Sequence, residues 1–225
     1  MPFDFSEECK ENQIDEKFVR KIDEKLFPLL EKAININPNF NEFLSKGNKE
    51  VSRTTFCNFL AFEHLVDKIK SQLQLYPKEV AVLFMIDYLV VVESLFTYIV
   101  DAIVFALVST GKVLDDPKTK KDCILPDEIR LVPLGTKLDF LKANGFSMMA
   151  NRCSLRLRNS SAHLNYIVDN DGNILLPQGD LIKVFVGMNE HHDKLRDAAI
   201  GGFIALRHFY YEKYGMYQVE KMRLQ

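Results

Sequence analysis

Between Val80 and Val108 the chain runs through its most apolar stretch, and the few polar groups inside it limit what the chain can become. Asp87, Glu93 and Asp101 interrupt the run, so no segment of ~18 uncharged residues is available for a membrane span. At ~100° per residue, Asp87, Glu93, Ser94, Thr97 and Asp101 all fall within one arc of about 120°, and the rest of the helix surface is apolar. Such a helix is buried on nearly all sides and keeps one polar stripe. The expectation is an all-α protein built round it, with no membrane segment.

The flanking sequence has the same period. Ile14–Ala33 carries Phe18, Ile22, Leu26, Leu29 and Leu30 at helical spacing, with Pro28 expected to kink or split the helix. Pro38, within Asn37–Asn41, marks a break. Ser52 is a candidate cap for a helix through about Leu75, with Phe56, Phe59, Leu60, Leu65 and Ile69 on or near one face. Pro77 suits the first turn of the long helix, which should end near Gly111. Lys112–Pro126 reads as a loop, Pro133–Asn144 as a short helix closed by Gly145, and Ser147 as a candidate cap for the next. Asp169–Asn173 is a turn signal, so a small hairpin or loop insertion is expected near residues 166–180. The last long helix, Met188–Tyr214, repeats Leu195, Ala199, Gly202, Leu206 and Tyr210, and Gly201 and Gly202 point to close approach of a neighbouring helix. The first dozen residues are expected to be frayed. Cys153–Arg158 alternates as a half-buried strand would, against the helical reading of its surroundings. No internal repeat or low-complexity tract is present.

Composition narrows the chemistry. A net charge of −2 gives no general pull toward nucleic acid, so any basic surface must be local. Cys9, Cys57, Cys123 and Cys153 form no CxxC pair and read as reduced thiols of an intracellular, cytoplasmic protein. Met1–Glu11 is acidic and lacks the apolar core of a secretory signal. His191 and His192 diverge by ~100° on a helix and do not share a metal easily. His64 and His208 read as packing or surface residues. There is no glycine-rich phosphate loop, HExxH or GxSxG. No metal or cofactor is expected.

From Phe140 through Val168 there is no Asp or Glu, in a chain with 31 acids, while Lys142, Arg152, Arg156, Arg158 and His163 lie within it. That is either a surface for a phosphate backbone or an ordinary solvated basic face. Inside it stands Arg158-Asn159-Ser160-Ser161-Ala162-His163. On a helix, Asn159 and His163 share a face. These groups suit RNA cleavage without metal. A 2′-hydroxyl must lose a proton as it attacks the adjacent phosphate, and the leaving 5′-oxygen must gain one. Histidine transfers protons near neutrality. Arginine holds phosphate oxygens and stabilises the growing charge. Asn159 can orient the imidazole or donate to a phosphate oxygen.

This hexapeptide resembles the Arg-Asn-x-x-x-His form of the HEPN-domain motif. So does its setting over residues 77–215, where a long apolar helix, a loop, a short helix, the motif, a variable turn region and a closing helix follow in order. The resemblance implies a HEPN-like helical bundle at residues 77–216, with residues 1–76 as an N-terminal helical extension of unknown role. It implies a homodimeric, metal-independent endoribonuclease of a toxin–antitoxin, abortive-infection or antiviral defence system, with an antitoxin or defence protein as possible partner. Arg158, Asn159 and His163 would be catalytic. Arg152, Arg156 and Lys142 would bind RNA, and Glu93, Asp101 and Asp87 are candidate supporting acids. Some toxins of the family carry a tyrosine two residues after the histidine. That position is Asn165 here, and Tyr166 comes one residue late. A catalytically inactive HEPN-like protein that binds RNA or a nucleotide is the alternative, and an unrelated helical scaffold is a third reading.

Overall fold

The computed structural model describes residues 3–43, 48–119, 121–183 and 187–214. Among the described residues helix dominates and the strands are three two-residue segments, so the protein is all-α. The expected end of the last domain, at residue 216, lies outside the described residues.

The central helix comprises α5 (Pro77–Val91), a π-helical turn (Val92–Phe96) and α6 (Thr97–Ser109). Pro77 occupies its first turn, Thr110 caps its end, and Gly111 follows at φ +93°. Along α6, Ile99, Val100 and every residue from Ala102 to Leu107 are buried. By length and composition alone this helix qualifies to cross a membrane despite its three acids, yet 61% of its most apolar window is buried inside the fold.

The π turn was not anticipated. It inserts about one extra residue, which rotates everything beyond it by roughly 100°. Thr97 closes the turn, its Oγ1 donating to the Val92 carbonyl at 2.7 Å. The polar stripe expected on one face is therefore divided, and its acids reach different neighbours.

The N-terminal region is part of the core. Residues 5–11 form α1 (Phe5–Glu11), not a frayed end: Asp4 caps it by accepting from the N–H groups of Ser6 and Glu7, and Phe5 and Cys9 are buried. The next helix, α2 (Glu16–Ile36), buries Phe18, Val19, Ile22, Leu26, Leu30 and Ala33 and runs unbroken through Pro28. Pro28 and Glu24 are both exposed, so the Glu24 carbonyl that loses its donor faces water. Asn37 then caps the short α3 (Pro38–Glu42). The fourth helix, α4 (Asn48–Gln72), begins four residues before Ser52, and Val66, rather than Leu65, is buried with Phe59.

After the central helix come α7 (Pro126–Leu131), α8 (Leu134–Ala143), α9 (Ser147–Ala150) and α10 (Leu155–Ala162). Gly145 follows α8 at φ +90°. Ser147 is the first residue of α9 and Phe146 its cap. Antiparallel strands β1 (Ile167–Val168), β2 (Ile174–Leu175) and β3 (Leu181–Ile182) follow, one more than a simple hairpin. The turn between the first two is fixed by Asp169, whose carboxylate accepts from the N–H groups of Asp171 and Asn173, with Gly172 at φ +81°. The closing helix is α11 (Gly187–Tyr214).

The longest packing contact joins α11 to α2, and one apolar cluster takes in Phe18, Ile22 and Leu26 with Ile99, Ile103, Leu195 and Phe209. The boundary drawn at 76/77 thus passes through a shared core. Polar contacts reinforce it: Arg207 binds Glu8 at 2.5 Å, and His208 Nδ1 lies 2.9 Å from Asp23 Oδ1, among the rings of Phe3, Phe5 and Phe27.

The two adjacent glycines of α11 differ in kind. A Cβ on Gly202 would stand 2.5 Å from Ile99 Cγ2 and 2.9 Å from Met149 Cε. One on Gly201 would meet only the Ile22 Cδ1 methyl at 3.2 Å, with Ile14 and Val19 methyls at 3.4 Å. We expect Gly202→Ala to destabilise by about 1–3 kcal/mol through overpacking. Gly201→Ala should stay within about 1 kcal/mol of the wild type, because alanine's helix propensity offsets the tighter fit. Urea denaturation of both variants checks this, and equal stabilities would contradict the close approach of α11 to α6.

Candidate functional site

The motif lies on α10, and the way this helix is anchored decides what it presents. The Ser154 N–H donates to the Tyr88 hydroxyl at 2.7 Å, tying the start of α10 to α5. Ser154 also caps the helix through its side chain. Leu157, Ser160 and Ser161 are buried, and the Ser161 hydroxyl approaches Met85 Sδ at 3.6 Å. Hence the strand-like alternation of Cys153–Arg158 belongs to a helix in which only every third or fourth residue is covered. Arg156, Asn159 and His163 are exposed and Arg158 is half-buried.

His163 is the C-terminal cap of α10, and the cap is a Schellman motif. Its N–H donates to the Asn159 carbonyl at 3.1 Å, while the N–H of Leu164 reaches Ser161 and that of Asn165 reaches Ser160. Leu164 adopts φ +50°, a left-handed conformation that costs a non-glycine residue roughly 1–2 kcal/mol. The His163 imidazole makes no side-chain hydrogen bond among the described residues.

Arg158 is held from two sides. Its Nε donates to Glu93 Oε1 at 2.5 Å, and one terminal nitrogen donates to Asn159 Oδ1 at 3.0 Å. Asn159 thus orients the guanidinium, not the imidazole, and its amide group remains available. The other terminal nitrogen of Arg158 has no hydrogen bond among the described residues, leaving it free to meet a phosphate oxygen. Glu93 lies inside the π turn, a distortion that recurs at functional sites.

The other two acids of the central helix are elsewhere. Asp101 accepts from Lys137 Nζ at 2.6 Å, and Lys137 is 2% exposed. Burial raises the Asp101 carboxyl above its usual range, although Lys137 opposes the shift. This pair fastens α8 to α6. Asp87 is buried beside His192 of α11. Of the three supporting acids expected, the structure brings only Glu93 to the motif.

The cations of the acid-free stretch also meet partners from outside it. Arg156 pairs with Asp180 at 2.5 Å, and Lys142 with Asp139 at 3.0 Å, all four side chains at least 42% exposed. Arg152 turns away, its guanidinium 4.4 Å from the Phe18 ring centre and 3.8 Å from Asp197. The linear run of positive charge is therefore compensated in space. Exposed pairs contribute about 0–1 kcal/mol each, so a phosphate competes readily for Arg156 and Lys142. Arg152 belongs to the packing of α2 and α11. Cys153 supplies no nucleophile, since burial pushes its thiol up to about 12.

A second polar cluster has no counterpart in the sequence reading: Glu63 of α4, Asp87 of α5, and His192 and Arg196 of α11 line one cleft. The sequence signal, an acid inside an apolar helix, was present for Asp87 alone. In comparisons with protein families, curated proteins and solved structures, the chain matches none.

Proposed function

We propose that the protein is a metal-independent endoribonuclease of HEPN type in which α10 and its cap form the catalytic segment. The observation that carries the reading is the Glu93–Arg158–Asn159 chain, which fixes a guanidinium with one free terminal nitrogen on the same short helix as an exposed, unpartnered His163. In the proposed reaction His163 takes or returns a proton at the attacking 2′-oxygen or the leaving 5′-oxygen. Arg158 neutralises charge on the phosphorane oxygens. The products are a 2′,3′-cyclic phosphate and a 5′-hydroxyl. An antitoxin–toxin or other defence setting is the biological context we infer, with an antitoxin or defence protein as partner.

Five positions along a helix separate two residues by about 140° in rotation and about 7.5 Å in height. Arg158 and His163 of one helix therefore do not converge on a single atom by themselves, and a homodimer in which two copies of α10 border one groove supplies both groups along the RNA. The apolar residues near the motif offer little surface for that groove, since Met149 is fully buried and Met148 and Leu155 are half-buried against the core. Better candidates lie beside His163. Ile167, Leu175 and Leu181 are paired across the three strands and exposed on one face, and Leu164, three residues before β1, is 76% exposed. An exposed apolar row of this kind marks an interaction surface.

The alternative is a noncatalytic RNA- or nucleotide-binding protein. It is favoured by the pairing of Arg156 and Arg158 with acids in the free protein.

Cleavage of RNA in excess chelator is the direct test. We expect His163→Ala and Arg158→Ala each to lower the rate by a factor of about 100 or more. Thermal melts should show little loss, since His163 is exposed and the Arg158–Glu93 pair is partly solvated. Activity that requires magnesium, or a His163→Ala variant at wild-type rate, refutes the catalytic reading; binding without cleavage favours the alternative.

Leu164→Gly tests the dimer. Glycine relieves the left-handed strain, so the folded monomer should gain up to about 1 kcal/mol, while self-association measured by light scattering should weaken. A monomeric wild type that cleaves at full rate contradicts the shared groove.

A further inference from the structure

The two arginines of α10 are held by acids in different ways. Glu93 takes the Nε of Arg158, so a terminal nitrogen stays without a partner among the described residues. Asp180 takes a terminal nitrogen of Arg156, with Nη1 donating to Oδ2 at 2.5 Å. Both side chains of this second pair are well exposed, at 63% and 47%. Residues two apart on a helix point about 200° away from each other. Arg156 and Arg158 therefore serve different sides of α10, one meeting the turn between β2 and β3 and the other the π turn of the central helix.

The β2–β3 turn sets where Asp180 stands. It runs Leu176-Pro177-Gln178-Gly179-Asp180. The Gly179 N–H donates to the Leu176 carbonyl at 2.9 Å, and the Leu176 N–H donates to the Asp180 carbonyl at 2.9 Å. Proline suits the second position of such a turn, and Gly179 supplies φ +87°. Leu176 is buried and joins the turn to the core. The Asp180 backbone is thus fixed without help from Arg156. Its carboxylate takes no part in the turn, unlike that of Asp169, which accepts two backbone N–H groups. A pair this exposed adds little to stability. The acid is dispensable to the fold, yet it meets one of the cations assigned to RNA.

A carboxylate offers a guanidinium the same pair of anionic oxygens as a phosphodiester. A phosphate that meets Arg156 displaces Asp180, and the exchange of one anion for another gains little. Arg158 imposes no such exchange, because Glu93 leaves a terminal nitrogen open. We propose that Asp180 is a specificity-determining residue of the RNA site, an internal stand-in for phosphate that weakens the hold of Arg156 on a second phosphate. The inference rests on the RNA-binding reading of α10. Its effect is to favour an unpaired strand gripped mainly at one phosphate per copy of α10 over a polymer bound through many charge contacts.

The test is binding of the full chain to a short single-stranded RNA methylated at every 2′-oxygen, read by fluorescence anisotropy over a range of salt. The probe lacks the attacking hydroxyl and stays intact. Asp180→Asn keeps the side-chain shape and removes the charge. We expect it to bind about threefold more tightly at low salt. The plot of log K against log salt should steepen by about 0.7, the value of one added phosphate contact on a single strand. In an Arg156→Gln background both gains should vanish. Asp171→Asn removes a charge from the turn at the other end of β2 and should leave affinity and slope as in the wild type. Equal binding by the wild type and Asp180→Asn overturns the proposal. So does a gain that survives Arg156→Gln or that Asp171→Asn reproduces, since either marks a general effect of net charge. Absence of RNA binding in every variant removes both this inference and the reading beneath it. Cleavage of unmodified RNA separates the two otherwise. Binding that follows Asp180 without cleavage keeps the inference and refutes the ribonuclease, while cleavage with no effect of Asp180→Asn does the reverse.

Discussion

The structure depends on burying one helix that carries three carboxylates. An acid on a helix enclosed by apolar packing must be met by a donor, because desolvating an unpaired carboxylate costs several kcal/mol. Each of the three is approached by a different element: Asp87 by His192 of α11 and Lys70 of α4, Glu93 by Arg158 of α10, and Asp101 by Lys137 of α8. The apolar surface of the helix supplies the driving force for assembly. Its acids fix which neighbour lies where, since a shift of any of these helices would separate a charge from its partner.

The π turn makes this division possible. Without it, the polar groups would lie along one stripe and compete for one neighbour. With about one extra residue in the turn, Asp101 is rotated away from the acids before it. Glu93 sits in the distorted segment itself and half-exposed, which suits a carboxylate that must hold an arginine and still let it reach a ligand. The Asp101–Lys137 pair differs in kind, with the ammonium wholly covered, so it locks α8 in place.

The same geometry separates two environments around α5. On α10 the guanidinium of Arg158 and the imidazole of His163 stand near solvent, and the small sheet that follows in the chain carries a row of exposed apolar side chains. Where α4, α5 and α11 meet, carboxylates outnumber cations and a buried oxygen lacks a donor. The two environments share α5.

The sequence by itself determined what local sterics and short-range periodicity control. Proline at the start of the central helix, the glycine turns at Gly111 and Gly145, the Asp169 turn, and the burial of Ile22, Leu26 and Leu195 follow from conformational preferences and spacing within a few residues. The tight fit at Gly202 was also legible, because only a close neighbour justifies two glycines inside a helix. Only the tertiary structure decided the rest. Pro28 is tolerated because it faces water. Residues 5–11 form a helix because Phe5 and Cys9 find a core to enter. The acid-free stretch is no free basic surface, because Asp180, Glu93 and Asp197 reach it from distant parts of the chain. Asp101 leaves the motif because one turn of helix is wound differently, and Asp87, ahead of that turn, faces α4 and α11 instead. Charge partners and helix phase depend on contacts between residues far apart in the chain, and no window of sequence contains them.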